Sequence, residues 1–234
     1  MGIYFGFISL ITISASCFAL NEAQIKTELQ NKIGKGVSIK GVNASAIPGI
    51  FEVQIDNEIV YTDSNAKFLI QGEIIDLVSG ANLTAKKQES ISRIKWTELP
   101  QANAFKIVRG NGSRQIAVFS DPNCGYCKRL EKTLLQLDNV TVYNYLIPIL
   151  SADSVQKSKQ IWCSSDPQKA WIDWMINGLT PSGKADCANP MDKNLAIAKN
   201  LGINGTPTIF FTDGSRYPGA VQLTDIEKKL ASLK

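Results

Sequence analysis

The chain has 234 residues, 44% of them apolar, and 25 basic against 21 acidic side chains leave a formal charge of +4. The excess is small and forms no Lys/Arg block, so neither nucleic acid nor an anionic membrane is implied as a partner. The chain has no histidine, which excludes His-based chemistry, including Ser-His-Asp and Cys-His hydrolases.

Residues 1–19 stand apart: Gly2 to Ser14 is almost wholly apolar, and no charged side chain occurs before Glu22. Such a run, ending in small residues, is expected to be a secretory signal peptide cleaved after Ala19 rather than a membrane span. Lipidation at Cys17 and an uncleaved anchor are the alternatives. Cleavage removes Cys17 and leaves four cysteines, an even number that suits an oxidising compartment.

Residues 20–79 are expected to form a first domain. Asn21 is placed to cap a helix with Ile25, Leu29 and Ile33 on one face, stopped by Gly34 and Gly36. Strand-like runs follow at 50–55, 59–62, 67–71 and 73–78, which predicts a small antiparallel sheet. About 60 residues make a marginal independent core. Such a unit can gain stability by pairing with a second copy through an edge strand; the alternative is a sheet packed on the rest of the chain. Residues 80–100 are polar and charged. Leu83, Lys87, Ile91 and Ile94 fall on one helical stripe, so a linking helix ended by Pro100 is expected.

From 101 to 234 strands and helices alternate. Strands are expected at 105–108, 115–119, 140–150 and 208–212, and around Arg216. Helices are expected from Lys128, with Leu130, Leu134 and Leu137 inward and Lys128, Arg129, Glu131 and Lys132 on the polar face. More are expected at 153–163, 167–177 and from Asp192, and a last one opens on a capping box, Thr224-Asp225-Ile226-Glu227. Trp171 and Trp174 read as core. Parallel β-α-β, an antiparallel pair and a closing helix make a thioredoxin-like α/β architecture, with 153–192 as a helical insertion.

The chemistry is centred on Phe119-Ser120-Asp121-Pro122-Asn123-Cys124-Gly125-Tyr126-Cys127. Asp121-Pro122 breaks the strand, so Cys124 falls at the start of the following helix. There, unpaired N–H groups and the partial positive charge of the terminus favour thiolate over thiol. The thiolate is the nucleophile in disulfide exchange. Cys124 is the expected nucleophile. Cys127 is placed to resolve a mixed disulfide formed at Cys124. A zinc site would need four N or S ligands, and only Cys163 and Cys187, 24 positions apart, could complete it. A structural Cys124–Cys127 bridge is the other alternative. Cys163 and Cys187 are read as a structural disulfide, with two free buried thiols as the alternative.

Gly205-Thr206-Pro207-Thr208 is the second candidate site. A proline that opens an apolar strand belongs at its beginning or edge. Spacing alone leaves cis and trans open. In a thioredoxin-like fold a cis-Pro here faces the CxxC, and the residue before it pairs with a bound peptide.

Phe119-Ser120-Asp121 leading into Cys124-Gly125-Tyr126-Cys127, with Ile161-Trp162-Cys163 and Gly205-Thr206-Pro207, closely resembles the DsbC-type periplasmic disulfide isomerases over nearly all of the mature chain. The Gly125-Tyr126 dipeptide is characteristic of that class. The resemblance implies a V-shaped homodimer formed by N-terminal cystatin-like domains, linker helices, and thioredoxin-like domains facing an apolar cleft. It implies a Cys163–Cys187 bond, periplasmic location and reduction by a DsbD-like membrane protein. Clients would be exported proteins with wrong disulfides, handled without cofactor or metal. Thioredoxin and DsbA carry a buried carboxylate six residues before the first cysteine; Val118 stands there, so proton transfer for Cys127 must use another group or water. A monomeric reductase or oxidase, and a chaperone-like dimer without redox chemistry, are the competing functions.

Overall fold

The structure is a computed structural model and describes residues 20–233; the predicted signal peptide and Cys17 lie outside them. The chain divides into two compact units, one ending at Thr84 and the other beginning at Ala85. Among the described residues no helix is long and apolar enough to cross a membrane.

The first unit opens with α1 (Glu22–Ile33), entered through a reciprocal cap. Asn21 Oδ1 accepts from the Gln24 N–H at 2.9 Å, and Gln24 Oε1 accepts from the Asn21 N–H at 3.0 Å. Ile25 and Leu29 bury the inner face. Four antiparallel strands follow in the order β1-β2-β3-β4: β1 (Ile39–Ala44), β2 (Ile50–Ile55), β3 (Glu58–Asp63) and β4 (Leu69–Ile70). The sequence reading missed β1. Its buried residues, Ile39 and Val42, are three apart because the register shifts between Ile39 and Gly41, and a bulge of this kind erases the alternation that marks a strand. The strand expected at 73–78 does not form; only Ile75 makes an isolated bridge, to Asn82. Asp76 Oδ1 accepts from the Val78 and Ser79 N–H groups, and its carbonyl accepts from Gly80, so local side-chain bonding wins over the ladder.

Helix α2 (Leu83–Ile91) spans the division between the units and ends earlier than expected. Ile94 lies beyond it, and its N–H bonds to the Gly214 carbonyl at 3.0 Å.

In the second unit a five-stranded sheet runs β5-β7-β6-β8-β9. Its strands are β5 (Phe105–Arg109), β6 (Arg114–Ser120), β7 (Val140–Leu146), β8 (Thr208–Phe211) and β9 (Arg216–Pro218). Only β6 and β7 pair in parallel, joined through α3 (Gly125–Leu134). Three helices stand between β7 and β8: α4 (Ala152–Trp162), α5 (Pro167–Met175) and α6 (Met191–Asn200). α7 (Leu223–Ala231) closes the chain. One face of the sheet packs Val118, Val142 and Leu146 with Leu130, Trp171 and Ile226; the other packs Phe119, Tyr145 and Phe210 with Ala198. The capping box expected at 224–227 does not form. α7 starts two residues earlier, at Leu223, which packs on the core, and Gln222 caps it without a side-chain bond.

Candidate active site

β6 ends at Ser120, and Asp121-Pro122-Asn123 carries the chain to Cys124, the N-cap of α3. The turn is tied on every side. Asp121 is fully buried, and its Oδ1 accepts from the Asn123 N–H at 2.7 Å. Its Oδ2 accepts from Ile149 and Leu150 at 2.9 and 3.0 Å, which joins the segment after β7 to the cysteine loop. The Asp121 carbonyl accepts from the Cys124 N–H at 3.1 Å. Trp174 Nε1–H donates to the Pro122 carbonyl at 2.6 Å, and Asn123 Nδ2 to Asp153 at 2.7 Å.

Cys124 and Cys127 are free thiols. Cys124 Sγ accepts from the Cys127 backbone N–H at 3.3 Å, the bond expected of a side chain at an N-cap. The Cys127 side chain, the Thr206 hydroxyl and the backbone N–H groups of Cys127 and Tyr126 together outweigh burial and draw the Cys124 thiol down to about 5. Burial and the Cys124 sulfur hold Cys127 far above the ordinary thiol range. The pair therefore splits into one thiol that ionises readily and one that holds its proton. Cys124 keeps 6% exposure against 2% for Cys127, so it is the one a large partner meets first.

Gly125 and Tyr126 form the outward first turn of α3; Tyr126 is 58% exposed, with the Arg129 guanidinium 4.8 Å over its ring. The Thr206–Pro207 peptide is cis, and the Thr206 carbonyl lies 3.2 Å from Cys124 Sγ. Pro207 is buried at the head of β8, and its carbonyl accepts from the Gly219 N–H at 2.8 Å. Cys163 and Cys187 are bonded to each other, which links the end of α4 to the loop before α6 and leaves neither as a thiolate ligand for a metal. Among the described residues no cluster of three or more His, Cys, Asp or Glu could hold a metal ion.

One side chain contradicts the expected polar face of α3. Glu131 is buried, 3% exposed, and its Oε2 accepts from Trp171 Nε1–H at 2.9 Å. The signal was available in the spacing: positions 127, 131 and 134 form one inward stripe. Residue type alone points a charged side chain to solvent even on that stripe. Asp121 belongs to the motif, but its bonds to Ile149 and Leu150 depend on a long-range approach invisible in the sequence.

Residues 101–234 match the model of a thioredoxin-like domain, and residues 18–85 match that of the disulfide bond isomerase protein N-terminal domain. The thiol:disulfide interchange protein DsbC of Salmonella typhimurium is 31% identical over 194 residues, covering 79% of this chain and 77% of that protein. The chain belongs to the DsbC family. The probable DsbC of Bordetella pertussis is 47% identical over 182 residues, covering 78% of this chain; the matched region spans 65% of that relative's length. Among solved structures, the disulfide interchange protein of Neisseria gonorrhoeae is 39% identical with a TM-score of 0.55, covering 57% of this chain and 97% of that one. Within the DsbC family, this chain combines the family's N-terminal domain with a thioredoxin-like domain in which one thiol is drawn down to about 5 and the other held far above the ordinary range.

Proposed function

We propose that this chain rearranges non-native disulfides in exported proteins. The observation that carries the reading is the Cys124 sulfur, drawn down to about 5 and set beside the cis Thr206–Pro207 peptide. The Cys124 thiolate attacks a client disulfide, a Cys124–client bond forms, and the other client sulfur leaves as a thiolate. That thiolate attacks a second client disulfide and releases another client thiolate, which attacks the client sulfur bonded to Cys124, closes a new client disulfide and expels Cys124 as a thiolate. When this stalls, Cys127 attacks Cys124, the client leaves reduced, and the Cys124–Cys127 bond must be reduced from outside. Thr206 and Pro207 act as the dock, with the backbone of Thr206 pairing with the client backbone, and Gly125-Tyr126 form the outward turn of the dithiol. The Cys163–Cys187 bond has a structural role.

The reading includes export to the periplasm, a DsbD-like membrane reductant and a homodimer formed through residues 20–79, with 80–100 as linker and 101–234 as the redox domain. Exposure of Phe68, Leu69 and Ile70 at the two-residue edge strand β4 supports the dimer. The test is reactivation of scrambled ribonuclease by wild type and Cys124→Ala, with the molar mass measured in solution. Wild type is expected to reactivate the client as a dimer and Cys124→Ala to fail. Reactivation that survives Cys124→Ala would refute the redox reading in favour of client binding alone, and an active monomer would point to a simple reductase or oxidase.

A further inference from the structure

Glu131 has no part in the reaction described so far. It follows Cys127 by four positions on α3, so the two side chains share a face, with Cβ atoms about 5–6 Å apart. That face is turned inward, and both residues are buried. The carboxylate meets one hydrogen-bond donor and one long ion pair. The Trp171 indole of α5 donates to Oε2, and the Arg109 guanidinium at the end of β5 stands 3.9 Å from Oε1. Burial outweighs both and holds the carboxyl above the ordinary carboxylate range, which suits it to take up a proton.

A second buried polar group lies on the sheet face that α3 covers. Asn144 of β7 is fully buried, in register with Val118 of β6 and Phe105 of β5. Val142 and Leu146, two residues to either side, pack in the same core as Cys127, Leu130 and Trp171. Neither amide atom of Asn144 has a hydrogen-bond partner within the protein. Buried amides are rarely left so, and ordered water is the usual partner. Val118, beside it, carries no polar atom that could serve Cys127.

We propose that Glu131 is the proton acceptor of Cys127, reached through water held by Asn144; the proposal rests on the interchange reading above. In the mixed disulfide, the Cys127 thiol passes its proton along this path to the Glu131 carboxylate. The Cys127 thiolate attacks Cys124 Sγ, the Cys124–Cys127 bond forms, the Cys124–client bond breaks, and the client sulfur leaves as a thiolate. The dithiol has lost two electrons and the client disulfide has gained them. The proton on Glu131 passes to solvent, or returns to Cys127 when the bond is reduced again. Facing Glu131 are Arg109 from β5 and Trp171 from α5, with Cys127 on the same face of its own helix; Asn144, on the sheet face that α3 covers, is neutral.

The test is rapid-quench reaction of the reduced full chain with glutathione disulfide, which separates attack by Cys124 from resolution by Cys127. Glu131→Gln keeps an acceptor for the Trp171 indole. It is expected to slow resolution at least tenfold and accumulate glutathionylated Cys124, with the first attack unchanged. In wild type the pH profile of resolution should show an inflection from Glu131. Glu131→Gln should lose it, and Glu131→Asp, which retains an acid, should recover it. Asn144→Leu should slow resolution in the same direction. Resolution by a folded Glu131→Gln within twofold of wild type at every pH would overturn the proposal. The wild type supplies a second readout that needs no substitution. Its infrared difference spectrum should show a protonated-carboxyl band rising in step with resolution, and a spectrum without that band would overturn the proposal equally. The reaction uses no protein client, so failure here is distinct from failure to reactivate scrambled ribonuclease.

Discussion

The Cys124 sulfur lies 3.2 Å from the carbonyl oxygen of Thr206, a residue 82 positions further along the chain. A carbonyl can accept only from the protonated thiol, whereas the Thr206 hydroxyl can donate to the thiolate and contributes to its stabilisation. Ionisation of Cys124 therefore frees the Thr206 carbonyl to accept from another donor. The rate of iodoacetamide alkylation of Cys124 should follow a single titration with a midpoint about 5. Thr206→Val removes the hydroxyl at nearly constant shape and should raise that midpoint by about one unit. A midpoint unmoved by the substitution would deny the hydroxyl its role.

The split between the two thiols sets how the reduction potential depends on pH. Below the Cys124 midpoint of about 5, reduction takes up two protons, and the potential should fall by about 59 mV per pH unit. Above it, Cys124 stays ionised while Cys127 is still protonated, and the slope should be about 30 mV per unit. Stabilised thiolate favours the reduced form, so the potential at pH 7 is expected between about −180 and −120 mV. A glutathione equilibration series checks both the value and the break in slope; a value near about −270 mV would contradict the reading.

Asp121 fixes the loop that carries Cys124. Its carboxylate meets three backbone N–H groups from two separate segments. An Asn side chain offers one oxygen and turns an NH₂ group toward N–H donors. Asp121→Asn should therefore destabilise the second unit by about 2–4 kcal/mol, measured by urea unfolding. It should also broaden the Cys124 titration, since the loop loses its tie to Ile149 and Leu150.

Asp213 gives a stability signature in acid. Partial burial pushes its carboxyl up, but the Lys229 ammonium at 2.7 Å and the Ser215 hydroxyl and N–H prevail and draw it down to about 2 from an unfolded value of 3.8. A carboxyl depressed in the folded state adds stability above its unfolded value and loses it as pH falls toward the folded one. The loss should thus fall between about pH 4 and pH 2. Its size is about 1 kcal/mol once partial exposure is allowed for. Urea midpoints across that window should flatten in Asp213→Asn; an unchanged slope would rule out this ion pair as the source.

The sequence by itself determined those features that local physics controls. The Asn21 cap, the break at Asp121-Pro122, the place of Cys124 at a helix start and the strand-helix alternation after residue 101 all follow from propensity and periodicity over a few residues. The tertiary structure decided everything that depends on what covers a side chain. Glu131 is an ordinary helix-surface residue until Trp171, 40 positions on, closes over it. Asn144 sits in what reads as a plain strand, and only the register with Phe105 and Val118 shows a polar group sealed on the sheet face that carries the α3 core. Val118 announced that proton transfer must come from elsewhere, but where depended on a packing that no window of neighbouring residues contains.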